Sequence, residues 1–245
     1  MAVAVADVTA LPPNEVHVFF ACTDQVRNAD ALQALLSADE TARMRRFFAA
    51  ANAHEYLVAH ALLRLALSRF AAVEPLAWMF RPQEFGRPVV AGPAGAPPLT
   101  FSLSHTKGLV ACAVAYDRQV GVDVEWQARA TDGLGIAEQF FSRAEVAWLR
   151  AQPAPQQPHS FLQLWTLKEA YLKARGVGLA LPLDGFSFAP SADGDIGLSF
   201  SQSIDDDPAR WQFLQQCPSP AHVLAVAAHV QPDQPVHIAV NPWTL

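Results

Sequence analysis

The chain has 245 residues, of which 51% are hydrophobic, and its formal net charge at pH 7 is −6. This length and apolar content are sufficient for one large core or two smaller ones. The negative charge argues against general nucleic-acid binding, which depends on Lys and Arg to replace phosphate counterions. No apolar run reaches the roughly 20 residues that span a bilayer, and the segment from Met1 to Asp7 lacks the basic start of a signal peptide. We therefore expect a cytoplasmic protein without a membrane or nucleic-acid partner.

The first half of the chain is predicted to contain a strand, two helices and three further strands. Ser37 and Glu40 have the spacing of a capping box. Apolar residues then recur at helical spacing, with His60 and Arg64 off the centre of the stripe or at its margin. The Pro- and Gly-rich stretch from 88 to 98 predicts an irregular loop. The predicted strands are 16–20, 99–103, 109–116 and 120–126, and the helices run from 37 to about 48 and over about 53–72.

The second half repeats this order of helices and strands. A helix is predicted near Ile136, another follows the capping box of Ser142 and Glu145, and a long helix after the break at 153–158 ends at Gly176 and Gly178. The predicted strands are 186–188, 196–200, 211–215, 223–230 and 236–240. We predict an α+β fold of two similar α/β halves, residues 1–126 and 127–245, with a ligand pocket at their junction. Because one chain supplies both halves, a monomer is expected.

Two carboxylates alternate with valines in Gly121-Val-Asp123-Val-Glu125. At strand spacing they point to the same side of a sheet, where they repel each other unless a cation lies between them. A solvated edge strand could also carry such a pair.

A second group of charges lies on the predicted long helix. Trp165, Glu169 and Lys173 follow each other at i, i+4 spacing and therefore share one face. An ordinary helical ion pair between Glu169 and Lys173 would stabilise the helix by only about 0.2 to 0.5 kcal/mol. The surrounding apolar residues leave little of this helix for water, and half-buried charges need partners such as a metal or a phosphate. Together with the strand pair, these residues indicate a divalent cation and phosphate chemistry.

Other polar residues have both an ordinary and a functional interpretation. His105 follows Ser104 at the end of a predicted strand, where it could donate a hydrogen bond to phosphate, although an isolated loop histidine is usually structural. No GxSxG elbow surrounds either neighbouring serine, so a serine nucleophile is not indicated. The cluster of Arg43, Arg45 and Arg46 is either a solvated helix face or an anion site. Three widely spaced cysteines, Cys22, Cys112 and Cys217, indicate reduced packing residues.

Several segments, in their order along the chain, resemble motifs of the 4'-phosphopantetheinyl transferases, specifically of the longer surfactin-synthetase-activating type. The resemblance covers roughly residues 37 to 188. It rests on Phe85-Gly86-Arg87-Pro88, Phe101-Ser-Leu-Ser104-His105, Gly121-Val-Asp123-Val-Glu125, Trp165-Thr-Leu-Lys168-Glu169-Ala-Tyr-Leu-Lys173, Arg45-Arg46-Phe47 and Gly178-Leu-Ala-Leu-Pro182.

The resemblance implies Mg²⁺-dependent transfer of the phosphopantetheine arm of coenzyme A to a serine of an apo acyl or peptidyl carrier protein, with release of adenosine 3',5'-bisphosphate. It implies that Asp123, Glu125 and Glu169 hold the metal and that Glu169 is also the base. It further implies that Lys173 and His105 contact phosphate and take part in catalysis. The residues expected to contact coenzyme A are Arg43, Arg87, Ser104, His105, Lys168 and Lys173.

Two positions depart from the family pattern. Glu55 stands where relatives carry a basic residue, so His54 or an arginine elsewhere is expected to replace one phosphate contact. Glu40 stands at another such position, so the 3'-phosphate of coenzyme A is expected to be held differently. Since carrier proteins are usually acidic, the negative enzyme needs a local docking surface, for which Phe140-Phe141 and the residues around Trp148 and Leu149 are the candidates.

Two other functions stay open at this point. One is a catalytically silent module that binds coenzyme A or a nucleotide; the presence of both Glu169 and Lys173 argues against it, because binding alone would not need a base beside the metal. The other is a metal-dependent phosphohydrolase, which would release adenosine bisphosphate from coenzyme A without a carrier.

Overall fold

The computed structural model describes residues 8–129, 132–190, 195–232 and 234–245. The segment from Met1 to Asp7, on which the expectation about a signal peptide rests, lies outside them. The helices are α1 Ala29–Gln33, α2 Ala38–Met44, α3 Ala50–Arg69, α4 Gly133–Phe140, α5 Arg143–Ala151 and α6 Gln157–Arg175. The strands are β1 Glu15–Cys22, β2 Met79–Pro82, β3 Pro88–Gly92, β4 Leu99–Thr106, β5 Leu109–Tyr116, β6 Val120–Trp126, β7 Phe186–Pro190, β8 Ile196–Phe200, β9 Trp211–Ser219, β10 His222–His229 and β11 His237–Pro242.

Two larger sheets form the centre of the molecule, and a long helix packs on each. The first sheet has the strand order β11-β1-β5-β4, and the second has the order β6-β10-β9. Helix α3 packs on β5 and β4, and α6 packs on β6 and β10. Apolar side chains of the two sheets meet in a shared core that includes Val16, Val122 and Val226. The mixed helices and sheets confirm the predicted α+β class.

Strands from before and after residue 126, where the sequence predicts the boundary between two halves, are paired with each other. Strand β6, which ends the first half, pairs with β10 of the second half. Strand β11, at the end of the chain, pairs in parallel with β1. The division into halves stays a prediction, but each of the two larger sheets contains strands from both sides of residue 126.

A row of hydroxyl groups joins the two sheets. Strand β4 carries Ser102, Ser104 and Thr106 at alternate positions, so their side chains point to one side. They accept hydrogen bonds from the backbone amides of Val122, Val124 and Trp126 at 3.0, 3.3 and 3.2 Å. These side chains satisfy buried backbone donors on an edge of β6 that has no strand partner, and they fix β6 beside β4.

The structure corrects three expectations about single segments. The predicted loop over 88–98 begins with strand β3, because its valines complete a hairpin with β2. Arg64 is 2% exposed and donates to the carbonyls of Pro75 and Trp78, so it lies in the core and not at the margin of the helix stripe. All three cysteines are free, but Cys217 is exposed and is not a packing residue.

Candidate functional site

A glycine allows the two acidic segments to meet. A Cβ atom at Gly121 would lie 1.9 Å from the backbone oxygen of Ala170 and 2.6 Å from the backbone nitrogen of Ala174, both on α6. Contacts this short are not tolerated in a packed interior. The glycine therefore lets α6 lie directly on β6, which brings Lys173 to Asp123.

Asp123 is the centre of a buried polar group. It is 5% exposed, and its Oδ1 accepts hydrogen bonds from Lys173 Nζ at 2.7 Å and from Ser104 Oγ at 2.9 Å. Ser104 Oγ also accepts from Lys173 Nζ at 2.9 Å and from the amide of Val124. A hydroxyl has one donor and two acceptor positions, and all three are used here. The side chain of Ser104, expected to contact coenzyme A, is instead occupied in holding Asp123 and Lys173.

Glu125 and Glu169 are the other two acidic groups of the constellation. Burial and the neighbouring Asp123 raise the pKa of each above its ordinary value. Arg129 and then Lys173 oppose this shift at Glu125, and Lys173 opposes it at Glu169. Arg129 Nη1 lies 3.0 Å from Oε1 and 3.3 Å from Oε2 of Glu125. As the sequence predicts, Trp165, Glu169 and Lys173 are partly exposed while most of the intervening helix is buried.

A cleft of about 300 Å³ opens beside this group. Glu169 and Lys173 of α6 line it together with Phe85, Arg87 and Phe101. Phe85 has φ 61°, a left-handed conformation that is rare for a bulky residue and marks a constrained turn at the rim.

The Arg87 guanidinium connects three separate segments through contacts with their backbone carbonyls. Its Nη1 donates to the carbonyl of Ala174 at 3.0 Å, and its Nη2 lies 3.5 Å from the carbonyl of Phe101 and 3.4 Å from that of Val120. Burial lowers the pKa of Arg87. Among the described residues no carboxylate forms an ion pair with it, so its positive charge is still available to an anion in the cleft.

His105 follows Ser104 on strand β4. Its side chain is 53% exposed, and its Nδ1 is 3.9 Å from Glu55 Oε2. Partial removal from water lowers its pKa, as does Lys173, whereas Glu55 opposes this. His54, considered as a substitute phosphate ligand, has its Nε2 2.8 Å from the carbonyl of Thr23.

Arg43 lies on a different surface depression, which it lines with Arg46 and Phe47. Its guanidinium carbon is 5.9 Å from the centre of the Tyr56 ring. Glu40, one of the departures from the family pattern, is bound to the capping amide of Ser37, to His60 and to Arg64. Its carboxylate therefore has a structural role between α2 and α3.

The expectation that Lys168 contacts coenzyme A is not met by this structure. Its side chain is fully buried, and its Nζ lies 2.9 Å from Glu145 Oε2, which is fully buried too. The same nitrogen donates to the carbonyls of Leu183 and Phe186, both at 2.7 Å. The side chain is one position away from Glu169 in sequence and therefore points about 100° away around the helix.

The three carboxylates fit a divalent cation in chemistry, although they do not form a ready-made cage. Within the described part of the chain, no three acidic, histidine or cysteine side chains are grouped as a metal site. However, Asp123 Oδ2 is a buried oxygen without a hydrogen-bond partner. An unpartnered buried carboxylate oxygen beside two more carboxylates is a position that a hard cation would stabilise.

Sequence reasoning missed Ser102, Thr106 and Arg129 as parts of this site. The alternating hydroxyls over 102–106 were a signal, because they stand at strand spacing. Arg129 stands four residues after Glu125, but in a turn, where spacing alone does not predict a contact.

The predicted docking residues divide between core and surface. Phe141 and Leu149 are 5% and 0% exposed and belong to the core, whereas Phe140 is 46% exposed.

No helix in the described part of the chain has the length and apolar character to cross a membrane.

The chain is similar to known proteins over most of its length. A model of the 4'-phosphopantetheinyl transferase superfamily matches residues 119–227, which include β6 and α6. The chain is 36% identical to 4'-phosphopantetheinyl transferase HetI of Nostoc sp. over 223 residues, covering 88% of this chain and 91% of the relative. It is 31% identical to 4'-phosphopantetheinyl transferase Sfp of Bacillus subtilis over 212 residues, covering 86% and 89% of the two chains. Matches of this identity and coverage show that the chain belongs to the 4'-phosphopantetheinyl transferase family, in its longer, surfactin-type form.

Proposed function

We propose that this enzyme transfers the 4'-phosphopantetheine arm of coenzyme A to a serine hydroxyl of an apo acyl or peptidyl carrier protein. The serine oxygen forms a bond to the phosphorus that carries the pantetheine arm. The pyrophosphate P–O bond breaks, and adenosine 3',5'-bisphosphate leaves. The observation that carries this proposal is that Glu169 and Lys173 line one cleft and that Lys173 is bound to the buried Asp123, within a chain of this family.

Glu169 is the residue best suited to accept the serine proton. Within the described residues its carboxylate has neither an ion pair nor a hydrogen bond, and it faces the cleft. Burial and Asp123 raise its pKa, which brings it closer to the neutral range in which a carboxylate acts efficiently as a general base.

Lys173 and His105 are proposed to bind the phosphates. Lys173 Nζ is held at the edge of the cleft by Asp123 and Ser104, where its charge can stabilise the leaving phosphate. The exposed ring of His105 can donate to another phosphate oxygen. The charge of Arg87, which also lines the cleft, favours an anion there. Arg43 stays a proposed contact for the 3'-phosphate.

Asp123, Glu125 and Glu169 are the residues that would hold Mg²⁺. When bound, the ion would neutralise charge on the pyrophosphate oxygens. Lys173 would then share Asp123 with it, and Ser104 would keep the carboxylate in place.

The carrier protein is proposed to dock next to this cleft through local contacts, because the net charge of −6 gives no overall attraction to an acidic partner. Phe140 is the exposed apolar residue we propose for this contact. We further infer a cytoplasmic monomer.

The decisive experiment incubates the enzyme with coenzyme A, Mg²⁺ and a panel of apo carrier proteins, and reads each carrier by intact mass. We expect a mass gain equal to one phosphopantetheine arm. A matched reaction without carrier separates this function from a phosphohydrolase, which would release adenosine bisphosphate in both. Tight binding of coenzyme A with no carrier modified would indicate a silent module and overturn the proposal.

Glu169→Gln tests the proposed base. The substitution keeps the shape of the side chain but removes its basicity, so we expect the rate to fall by about 10² to 10⁴. The control is Glu138→Gln, which changes an exposed carboxylate paired with Arg150. Equal rates for the two variants would remove Glu169 from the mechanism.

A further inference from the structure

Arg129 forms the only ion pair of Glu125 within the described residues, and no function above requires it. The guanidinium reaches back from the turn after β6 to Glu125, one of the three proposed metal ligands. Its Nη1 is close to both carboxylate oxygens, at 3.0 and 3.3 Å. A metal cation that binds the Glu125 carboxylate would therefore be repelled by the Arg129 guanidinium, which is already close to both oxygens.

The two partners of this ion pair differ in their exposure. The Glu125 side chain is 11% exposed, while that of Arg129 is 56% exposed. The arginine can therefore move into water while the carboxylate stays in the site. An ion pair with an exposed member is weakened by the surrounding water, so separating it costs little.

Lys173 pairs with Asp123, another of the three proposed metal ligands, in a different way. It is 30% exposed, pairs with the buried Asp123, and is also bound to Ser104. Within the described residues, Arg129 is thus the one of these two cations whose side chain hydrogen-bonds only to a single carboxylate.

We infer that Arg129 is an internal counter-ion that occupies Glu125 in the absence of Mg²⁺ and leaves it when Mg²⁺ binds, so that it weakens the apparent affinity for the metal. This inference rests on the proposed function, because it assumes that Glu125 is a metal ligand. The residue is then a determinant of metal affinity and not a catalytic residue.

The test is titration of Mg²⁺ alone into the protein freed of coenzyme A, followed by calorimetry. For Arg129→Gln we expect Mg²⁺ to bind roughly two- to fivefold more tightly than to the unchanged protein, the factor that corresponds to an exposed ion pair. Arg150→Gln is the matched control, since it removes one positive charge from another surface ion pair, that with Glu138. We expect it to change the affinity by less than about twofold, because the charge it removes is screened from the site.

Thermal unfolding with and without Mg²⁺ gives a second measurement. Without the metal, Arg129→Gln should unfold at a slightly lower temperature, since Glu125 has lost its partner. The increase in unfolding temperature caused by Mg²⁺ should be larger than in the unchanged protein.

Three other outcomes would overturn the inference. Weaker Mg²⁺ binding by Arg129→Gln would mean that Arg129 positions Glu125 for the metal. Equal binding by all three proteins would mean that Arg129 does not compete, while the proposed metal site would stand. No Mg²⁺ binding by any of them, together with carrier modification that does not need Mg²⁺, would overturn both the inference and the metal part of the proposed function.

Discussion

At the scale of single residues, the structure gives neighbouring charges on α6 separate environments. Lys168 and Glu169 are adjacent in sequence, but the Lys168 side chain is buried in the core, whereas Glu169 lines the cleft. Glu145 accepts hydrogen bonds from Ser142 and from the amide of Phe188 as well as pairing with Lys168. The pair therefore ties α5 and β7 to the helix that carries Glu169.

Lys168→Met tests this structural role. The variant leaves the buried carboxylate of Glu145 without its cation, which should lower the free energy of unfolding by about 3 to 5 kcal/mol. Urea denaturation measures this loss. The double variant Lys168→Met/Glu145→Met should be more stable than the single one, because no buried charge is left unpaired. A Lys168→Met protein of unchanged stability that fails to bind coenzyme A would instead restore Lys168 as a ligand.

The environment of Glu40 predicts how the stability of the fold depends on pH. Burial by itself would raise the pKa of Glu40, but hydrogen bonds from His60 and the Ser37 amide and the charge of Arg64 outweigh it, and lower the pKa from 4.5 to about 2. A carboxylate with a depressed folded-state pKa stabilises the fold at pH values above its unfolded pKa, and this contribution is lost as the pH falls towards the folded pKa.

Glu40→Gln should therefore destabilise the protein by about 2 kcal/mol at pH 7, a value reduced for partial exposure to solvent. The difference from the unchanged protein should shrink between pH 4.5 and about 2, the window set by the two pKa values. Urea denaturation over this pH range provides the measurement, with Glu138→Gln as the control. A difference that does not depend on pH would show that the charge of Glu40 is not the stabilising factor.

At the scale of elements, the site depends on how closely α6 approaches β6. Gly121 is the position where strand and helix backbones touch, and its neighbours Val122 and Val124 anchor the other face of β6 in the core. The hydroxyl groups of β4 hold the same strand from its free edge. The helix and β4 thus position β6 independently, and Asp123 lies between them.

Gly121→Ala should separate α6 from β6. The added methyl group overlaps the backbone of α6, and overpacking of this kind costs roughly 1 to 3 kcal/mol. Because Lys173 and Glu169 would shift relative to Asp123, we expect carrier modification to be lost to a greater extent than stability. Gly197→Ala is the control, since its Cβ would be 3.6 Å from the nearest atom. Equal activity and stability of the two variants would show that the close approach is not needed.

At the scale of the whole molecule, the end of the chain completes the first sheet. β11 pairs with β1, Trp243 donates its backbone N–H to the carbonyl of Phe20, and the Trp243 ring lies 4.8 Å from that of Phe19. This strand covers an edge that would otherwise present unpaired backbone groups to other molecules.

Ending the chain after residue 235 should therefore expose β1. We expect a clearly lower unfolding temperature and association in size-exclusion chromatography, because β1 can then pair with another chain. A chain that ends after Trp243 keeps the strand and the ring, and serves as the control. If the shorter chain elutes and unfolds like the full one, β11 is dispensable for the fold.

The sequence by itself determined the class of fold, most elements and the identity of the charged motifs. Strands β5, β6 and β8 and both capping boxes lie where local patterns predict them, because alternation and capping depend on neighbouring residues. The spacing of Trp165, Glu169 and Lys173 likewise fixes their common face.

Only the tertiary structure decided which groups the charged residues meet. The burial of Arg64 and Lys168, the full use of the Ser104 hydroxyl and the contact of Arg129 with Glu125 all depend on where separate segments come together. The pairing of β6 with β10 and of β11 with β1 also joins residues distant in the chain. Local patterns carry no information about such partners, since a side chain's hydrogen bonds and desolvation are set by whatever the fold packs against it.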